Sequence, residues 1–190
     1  MKIGLYFGSF NPIHVGHLII ANHVLNSTDI QKIWFIVSPQ NPLKKSNSLL
    51  NEYDRLHLVK LAVDGDPRIS VSDIEFKLPR PSYTVDTLTY LKEKYPEHEF
   101  SIIMGSDSYQ NLDKWKNFDV IVRNYSICVY LRPGFNIHNK YSAKPIILEA
   151  PLLQISATDI RNLVKEAKSI RYMVPEKVVE EIERNRYYKK

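Results

Sequence analysis

Gly8-Ser9-Phe10-Asn11-Pro12-Ile13-His14-Val15-Gly16-His17 is the stretch from which the rest of the chain can be read. An apolar run, Ile3 to Phe7, leads into it and reads as a buried strand. Val15, Leu18, Ala21 and Leu25 follow at three- and four-residue spacing, which predicts a helix. A strand, a tight turn and a helix start leave backbone N–H groups unpaired and put the positive end of the helix dipole at the turn. Such a place binds anions. His14 and His17 fall on one side of the first helical turn and face the same space. Gly8 and Gly16 let backbone and ligand come close.

Other phosphate and metal chemistries fit less well. The glycines do not form G-x-G-x-x-G, and no G-x-x-x-x-G-K-[ST] occurs. Two histidines without H-E-x-x-H spacing, a cysteine or a nearby acid make a poor metal site.

The turn resembles the signature of the nucleotidylyltransferase superfamily, G-[ST]-F-[DN]-P-x-H-x-G-H. Many relatives in its bacterial nicotinate-nucleotide branch carry Asp where this chain has Asn11. Asn keeps the turn-forming role, so loop shape is expected to survive while the local charge changes.

The chain has 190 residues, enough for one α/β domain over 1–190 with a sizeable core. Residues 156–190 are expected to pack on it as a short helical extension. A single cysteine, Cys128, sits in an apolar run and allows no internal disulfide, which suits a reducing cytoplasm. The first strand begins at once, so no signal peptide is expected, and no apolar run approaches membrane-spanning length. The net charge of +5 is scattered, without a nucleic-acid motif, and suits polyphosphate substrates. Neither a nucleic-acid nor a membrane partner is expected; the sequence leaves a homo-oligomer open.

Further along, Lys32 to Val37 reads as a second strand running into a turn-rich loop with Lys44 and Lys45. Lysines beyond a strand's carboxyl end are placed to meet an anion in an open α/β sheet. Asn51 to Asp64 reads as a helix capped by Asn51, and Ile69 to Ile74 as a third strand. Pro79 to Pro81 enforce an extended loop, and Ser82 or Thr84 is expected to cap the helix carrying Leu88 and Leu91. Phe100 to Met104 reads as a fourth strand, then Gly105-Ser106-Asp107, where Asp107 could accept from a ribose diol or, with Ser106, cap a helix. Trp115 could be core or a flat face for an aromatic ring. Ser126 to Tyr130 and Pro145 to Leu148 read as strands five and six; His138 between them reads as exposed.

Ile155-Ser156-Ala157-Thr158-Asp159-Ile160-Arg161 reads as a helix start, and a closing helix is expected over Pro175 to Tyr187. Two hydroxyls, a helix N-terminus and an arginine make a second phosphate cradle. The alternative is a plain capping box with a surface arginine.

The resemblance extends to these stretches. Ile155 to Arg161 resembles the superfamily's I-S-[SA]-T-x-[IV]-R. Pro81-Ser82-Tyr83-Thr84, with Thr87-Leu88 beyond, looks like the nicotinate-nucleotide adenylyltransferase branch, in which Tyr83 and Thr84 would meet a pyridine carboxylate. Gly105-x-Asp107 followed by Trp115 is where relatives hold the ribose and stack the pyridine.

Alternating strands and helices predict an α/β, doubly wound parallel sheet with right-handed crossovers. The resemblance implies a Rossmann-like strand order of 3-2-1-4-5. Both cradles should then meet at the switch point. The expected activity is adenylyl transfer from ATP to nicotinate mononucleotide without a covalent intermediate, with Mg²⁺ carried in on ATP and no dedicated metal ligand. His14, His17 and Arg161 would be catalytic. ATP would contact Gly8, Ser9, Phe10, His14, Gly16 and His17, then Lys44, Gly105 and Asp107, and finally Ile155, Ser156, Thr158 and Arg161. Nicotinate mononucleotide would contact Ser9, Lys45, Tyr83, Thr84, Asp107 and Trp115. Competing readings are a nicotinamide mononucleotide or pantetheine phosphate acceptor, or a non-catalytic nucleotide-binding module.

Overall fold

The computed structural model describes residues 1–40, 49–132, 134, 137, 141, 145–151 and 154–189. Lys44, Lys45 and His138, to which the sequence assigned places, lie outside the described residues. Six parallel strands form one sheet in the order β3-β2-β1-β4-β5-β6. They are β1 (Lys2–Gly8), β2 (Lys32–Val37), β3 (Ile69–Ser72), β4 (Glu99–Gly105), β5 (Ser126–Tyr130) and β6 (Ile146–Leu148). β1 is central, pairing Tyr6 with Phe35 on one side and with Ile103 on the other.

Side-chain alternation splits the core into two layers. Tyr6, Phe35, Val37, Ile103 and Cys128 point to one face. There they meet α1 (Val15–Ser27), α2 (Glu52–Val63), α6 (Ala157–Lys165) and α7 (Glu176–Arg184). Ile3, Leu5, Ile36, Ile102 and Val129 point to the other. They pack on α3 (Thr84–Lys94), α4 (Ser106–Gln110) and α5 (Phe118–Asn124). Cys128 is free and buried, and burial pushes its thiol up to about 11.

Several local expectations change. Strand β3 stops at Ser72, because Ile74 enters a 3-10 turn reaching Lys77. Tyr83, not Ser82 or Thr84, is the N-cap of α3, and no side chain caps it. The Ser82 hydroxyl instead donates to Glu75 Oε2 at 2.9 Å. At α4 the N-cap is Gly105 rather than Ser106 or Asp107. The sequence reading had no helix over α5, whose N-cap, Asn117, sits at φ 50° without a side-chain bond. Asn51 does cap α2, accepting from the Tyr53 N–H at 2.9 Å. Among the described residues, no helix is long and apolar enough to cross a membrane.

Candidate active site

The chain order reverses between β1 and β4, so their carboxyl ends diverge into a crevice, the usual ligand position in such sheets. A cleft of about 1300 Å³ opens there. Gly8, Ser9, Phe10, His14, Gly16 and His17 line it from the first turn, and Ile155, Ser156, Thr158 and Arg161 from the start of α6. Gly105, Asp107, Tyr83, Thr84 and Trp115 line it as well. Every described residue assigned to the site from sequence borders this one space.

A direct contact ties the two cradles. Arg161 Nη1 donates to the Asn11 carbonyl at 2.7 Å, and Nη2 to Thr158 Oγ1 at 3.1 Å. Thr158 accepts in that bond, so its hydroxyl proton is left for another acceptor. Ser156 follows the capping alternative: it accepts from the Asp159 N–H at 3.1 Å and donates to Asp159 Oδ2 at 2.6 Å. Asn11 is buried, and its Oδ1 accepts from the Leu50 N–H at 3.1 Å, which ties the turn after β1 to the residue just before Asn51.

The first helix offers fewer backbone donors than its sequence suggested. Val15 N–H goes to Met173 O at 2.9 Å, and His14 N–H to His17 Nδ1 at 3.3 Å. The rings of His14 and His17 lie face to face at a tilt of 32°, with centroids 3.7 Å apart. Since His17 Nδ1 accepts, the neutral ring carries its proton on Nε2 as a donor. His14 Nδ1 is buried without a partner among the described residues. A Cβ on Gly16 would approach that atom to 3.0 Å, so the glycine makes room for the imidazole. Burial, and then the Arg132 guanidinium, lower the His14 pKa to about 4. Burial first, then His14 and Arg132, hold His17 well below the usual histidine range.

Arg132, to which the sequence gives no role, stands just past the fifth strand. Its Nε lies 3.3 Å from Asp107 Oδ1, its Nη2 donates to Tyr130 Oη at 3.0 Å, and its N–H to Ser106 Oγ at 2.9 Å. A Cβ on Gly105 would meet that guanidinium at 2.9 Å, so only glycine admits the pair. The available signal is position: a cation two residues beyond the carboxyl end of β5.

Glu75, which also lines the cleft, is 2% exposed and accepts from Ser82 Oγ at 2.9 Å and Thr87 Oγ1 at 3.0 Å. Burial raises its pKa, with the hydroxyls of Ser38, Ser82 and Thr87 acting against the rise. In sequence Glu75 stands just past the strand expected over Ile69 to Ile74, with no motif to mark it.

Sheet topology and cleft together define a class: a doubly wound nucleotidyltransferase. The chain matches the cytidylyltransferase-like family over residues 5–163. It is 53% identical to a probable nicotinate-nucleotide adenylyltransferase of Flavobacterium johnsoniae over all of both chains. A second, from Cytophaga hutchinsonii, is 53% identical over 99% of this chain and 98% of its own. A nicotinic acid mononucleotide adenylyltransferase of Plasmodium falciparum, complexed with NaAD, has the same fold. Its TM-score is 0.81 over 98% of this chain and 97% of its own, at 20% identity. The chain belongs to the cytidylyltransferase-like family and, within it, to the nicotinate-nucleotide adenylyltransferases.

Proposed function

We propose that the protein transfers the adenylyl group of MgATP to nicotinate mononucleotide, releasing pyrophosphate and nicotinate adenine dinucleotide. A phosphate oxygen of the mononucleotide forms the new bond to the α-phosphorus. The bond from that phosphorus to the bridging oxygen breaks, and its electron pair leaves with pyrophosphate. The attacking phosphate has a second pKa of about 6 and is already an anion at neutral pH. No general base is required; alignment and charge stabilisation carry the rate.

The observation that carries this reading is the Arg161–Asn11 bond, which brings both anion cradles to one cleft. His17 would donate from Nε2 to the α-phosphate, with His14 stacked behind it. Arg161 and Thr158 would hold the β- and γ-phosphates, while Ser156 fixes the start of the helix that presents them. The phosphates would also draw on Gly8, Ser9, Phe10 and Gly16 in the turn and on Ile155, with Lys44 arriving from the loop after β2. Asp107 would accept from ribose hydroxyls, and Arg132 beside it would counter phosphate charge. Ser9, Lys45, Tyr83, Thr84 and Trp115 would receive the mononucleotide. Mg²⁺ would enter as part of the ATP substrate, held by phosphate oxygens and water, as this ion prefers. A cysteine that is buried and free suits a cytoplasmic setting.

Pyrophosphate release from MgATP with each candidate acceptor tests the assignment. Turnover is expected with nicotinate mononucleotide. Turnover with pantetheine phosphate, or with the amide but not the acid, refutes it.

A further inference from the structure

Lys116 lies at the end of the cleft that also holds Tyr83, Thr84 and Trp115. Its ammonium sits 4.8 Å from the centre of the Tyr83 ring and donates to both carboxylate oxygens of Asp86, at 3.1 and 2.9 Å. The Lys116 and Asp86 side chains are 43% and 45% exposed. An exposed pair of this kind adds little to stability, so folding alone gives no reason for a cation at this spot.

The surroundings give one. Tyr83 is the N-cap of α3, no side chain caps that helix, and Asp86 in its first turn faces Lys116 instead. The start of α3, without a side-chain cap, thus borders the cleft at Tyr83 and Thr84. Behind it stands Glu75, a buried carboxylate bonded to the Ser82 and Thr87 hydroxyls. A second carboxylate brought by a substrate would be repelled by Glu75. Positive potential from the same rim opposes that preference; two lysines line this end, and Lys116 is the one whose ammonium lies over the Tyr83 ring, whereas Lys114 donates to Asn111 Oδ1 at 2.7 Å.

We propose that Lys116 is a specificity-determining residue, whose ammonium over Tyr83 favours a pyridine ring bearing a carboxylate over one bearing a carboxamide. This rests on the reading of the cleft as a pyridine-mononucleotide adenylyltransferase site. Asp86 moderates the effect by neutralising part of the Lys116 charge, which makes the pair a tuner and predicts opposite effects from its two members.

The experiment compares kcat/KM for nicotinate and nicotinamide mononucleotides in the wild type and in K116Q, K116R and D86N. For partly screened charges several ångströms apart, removing the ammonium should lower the acid-to-amide ratio about three- to tenfold. K116R should keep the ratio within about twofold of wild type, D86N should raise it, and added salt should lower the wild-type ratio but not that of K116Q. An unchanged ratio in K116Q, an equal loss for both acceptors, or a lower ratio in D86N overturns the proposal. A wild type idle with both mononucleotides would sink the acceptor assignment itself, a result distinct from active enzymes whose ratio ignores Lys116.

Discussion

Burial holds His14 near about 4 and His17 well below the usual range, so at neutral pH the free protein presents two neutral imidazoles to its cleft. Neutral rings can stack at 3.7 Å where two imidazolium ions would repel. The same depression links stability to pH. An unfolded histidine takes up a proton below about 6.5, whereas folded His14 resists until about 4. The stabilisation is present in full above that unfolded value and is lost as pH falls toward 4. From pH 7 to 5 the His14 contribution should drop by about 2 kcal/mol. Urea unfolding at the two pH values measures this, and His14→Gln should flatten the slope; an unchanged slope would contradict the depressed value. For chemistry, the neutral ring makes His17 a hydrogen-bond donor rather than a standing charge. His17→Ala should reduce kcat at least ~100-fold if Nε2 follows charge developing on the α-phosphate. Pre-steady-state release of pyrophosphate reads that step directly, and a wild-type rate would remove His17 from it.

Among the elements, strands were the most legible, because short apolar runs, buried on both faces of the sheet, mark Ile3 to Phe7, Lys32 to Val37 and Phe100 to Met104 without reference to anything distant. Caps relying on a local side chain, Asn51 and Ser156, were legible for the same reason. Tyr83, Gly105 and Asn117 use no side-chain bond at all and left no local mark. Long-range ties were also hidden. Arg55 looks in sequence like any charge on an amphipathic helix, yet it is fully buried. Its guanidinium donates to four backbone carbonyls: Ser9 at 2.6 Å, Ser38 at 2.8 Å, Pro39 at 2.9 Å and Leu50 at 2.8 Å. α2 thereby clamps the turn after β1 to the end of β2. Arg55→Met would leave those carbonyls without their charged donor, and bonds of this type contribute about 1.5–3 kcal/mol each, so a total loss of at least ~3 kcal/mol is expected. Denaturant unfolding decides it, and a loss below ~1 kcal/mol would mean water replaces the clamp.

Across the whole molecule, the active cleft exists only because the two ends of the chain share a core, and this leads us to propose that residues 1–190 act as one domain. Val15 N–H is satisfied by Met173 O, and Arg161 reaches Asn11, so α1 and the segment after residue 155 complete each other's polar groups. The apolar link is larger. Ile160, Val164, Ile170, Val174, Val178 and Ile182 are buried in the same cluster as Tyr6, Phe35 and Val59. At about 1.5–3 kcal/mol per buried aliphatic side chain, these six residues contribute on the order of 10 kcal/mol. A domain's net stability is about 5–15 kcal/mol. The closing segment is therefore part of the folding unit, although it reads in sequence as an extension. A chain ending at residue 155 should lose cooperative thermal unfolding and expose apolar surface to a dye such as ANS. Adding residues 156–190 as a separate peptide should restore little, since the peptide must give up its own conformational freedom on docking. A truncated chain with a sharp melting transition would show that the sheet and its first helices form a core without the C-terminal helices, and that the arginine cradle is docked onto a finished domain.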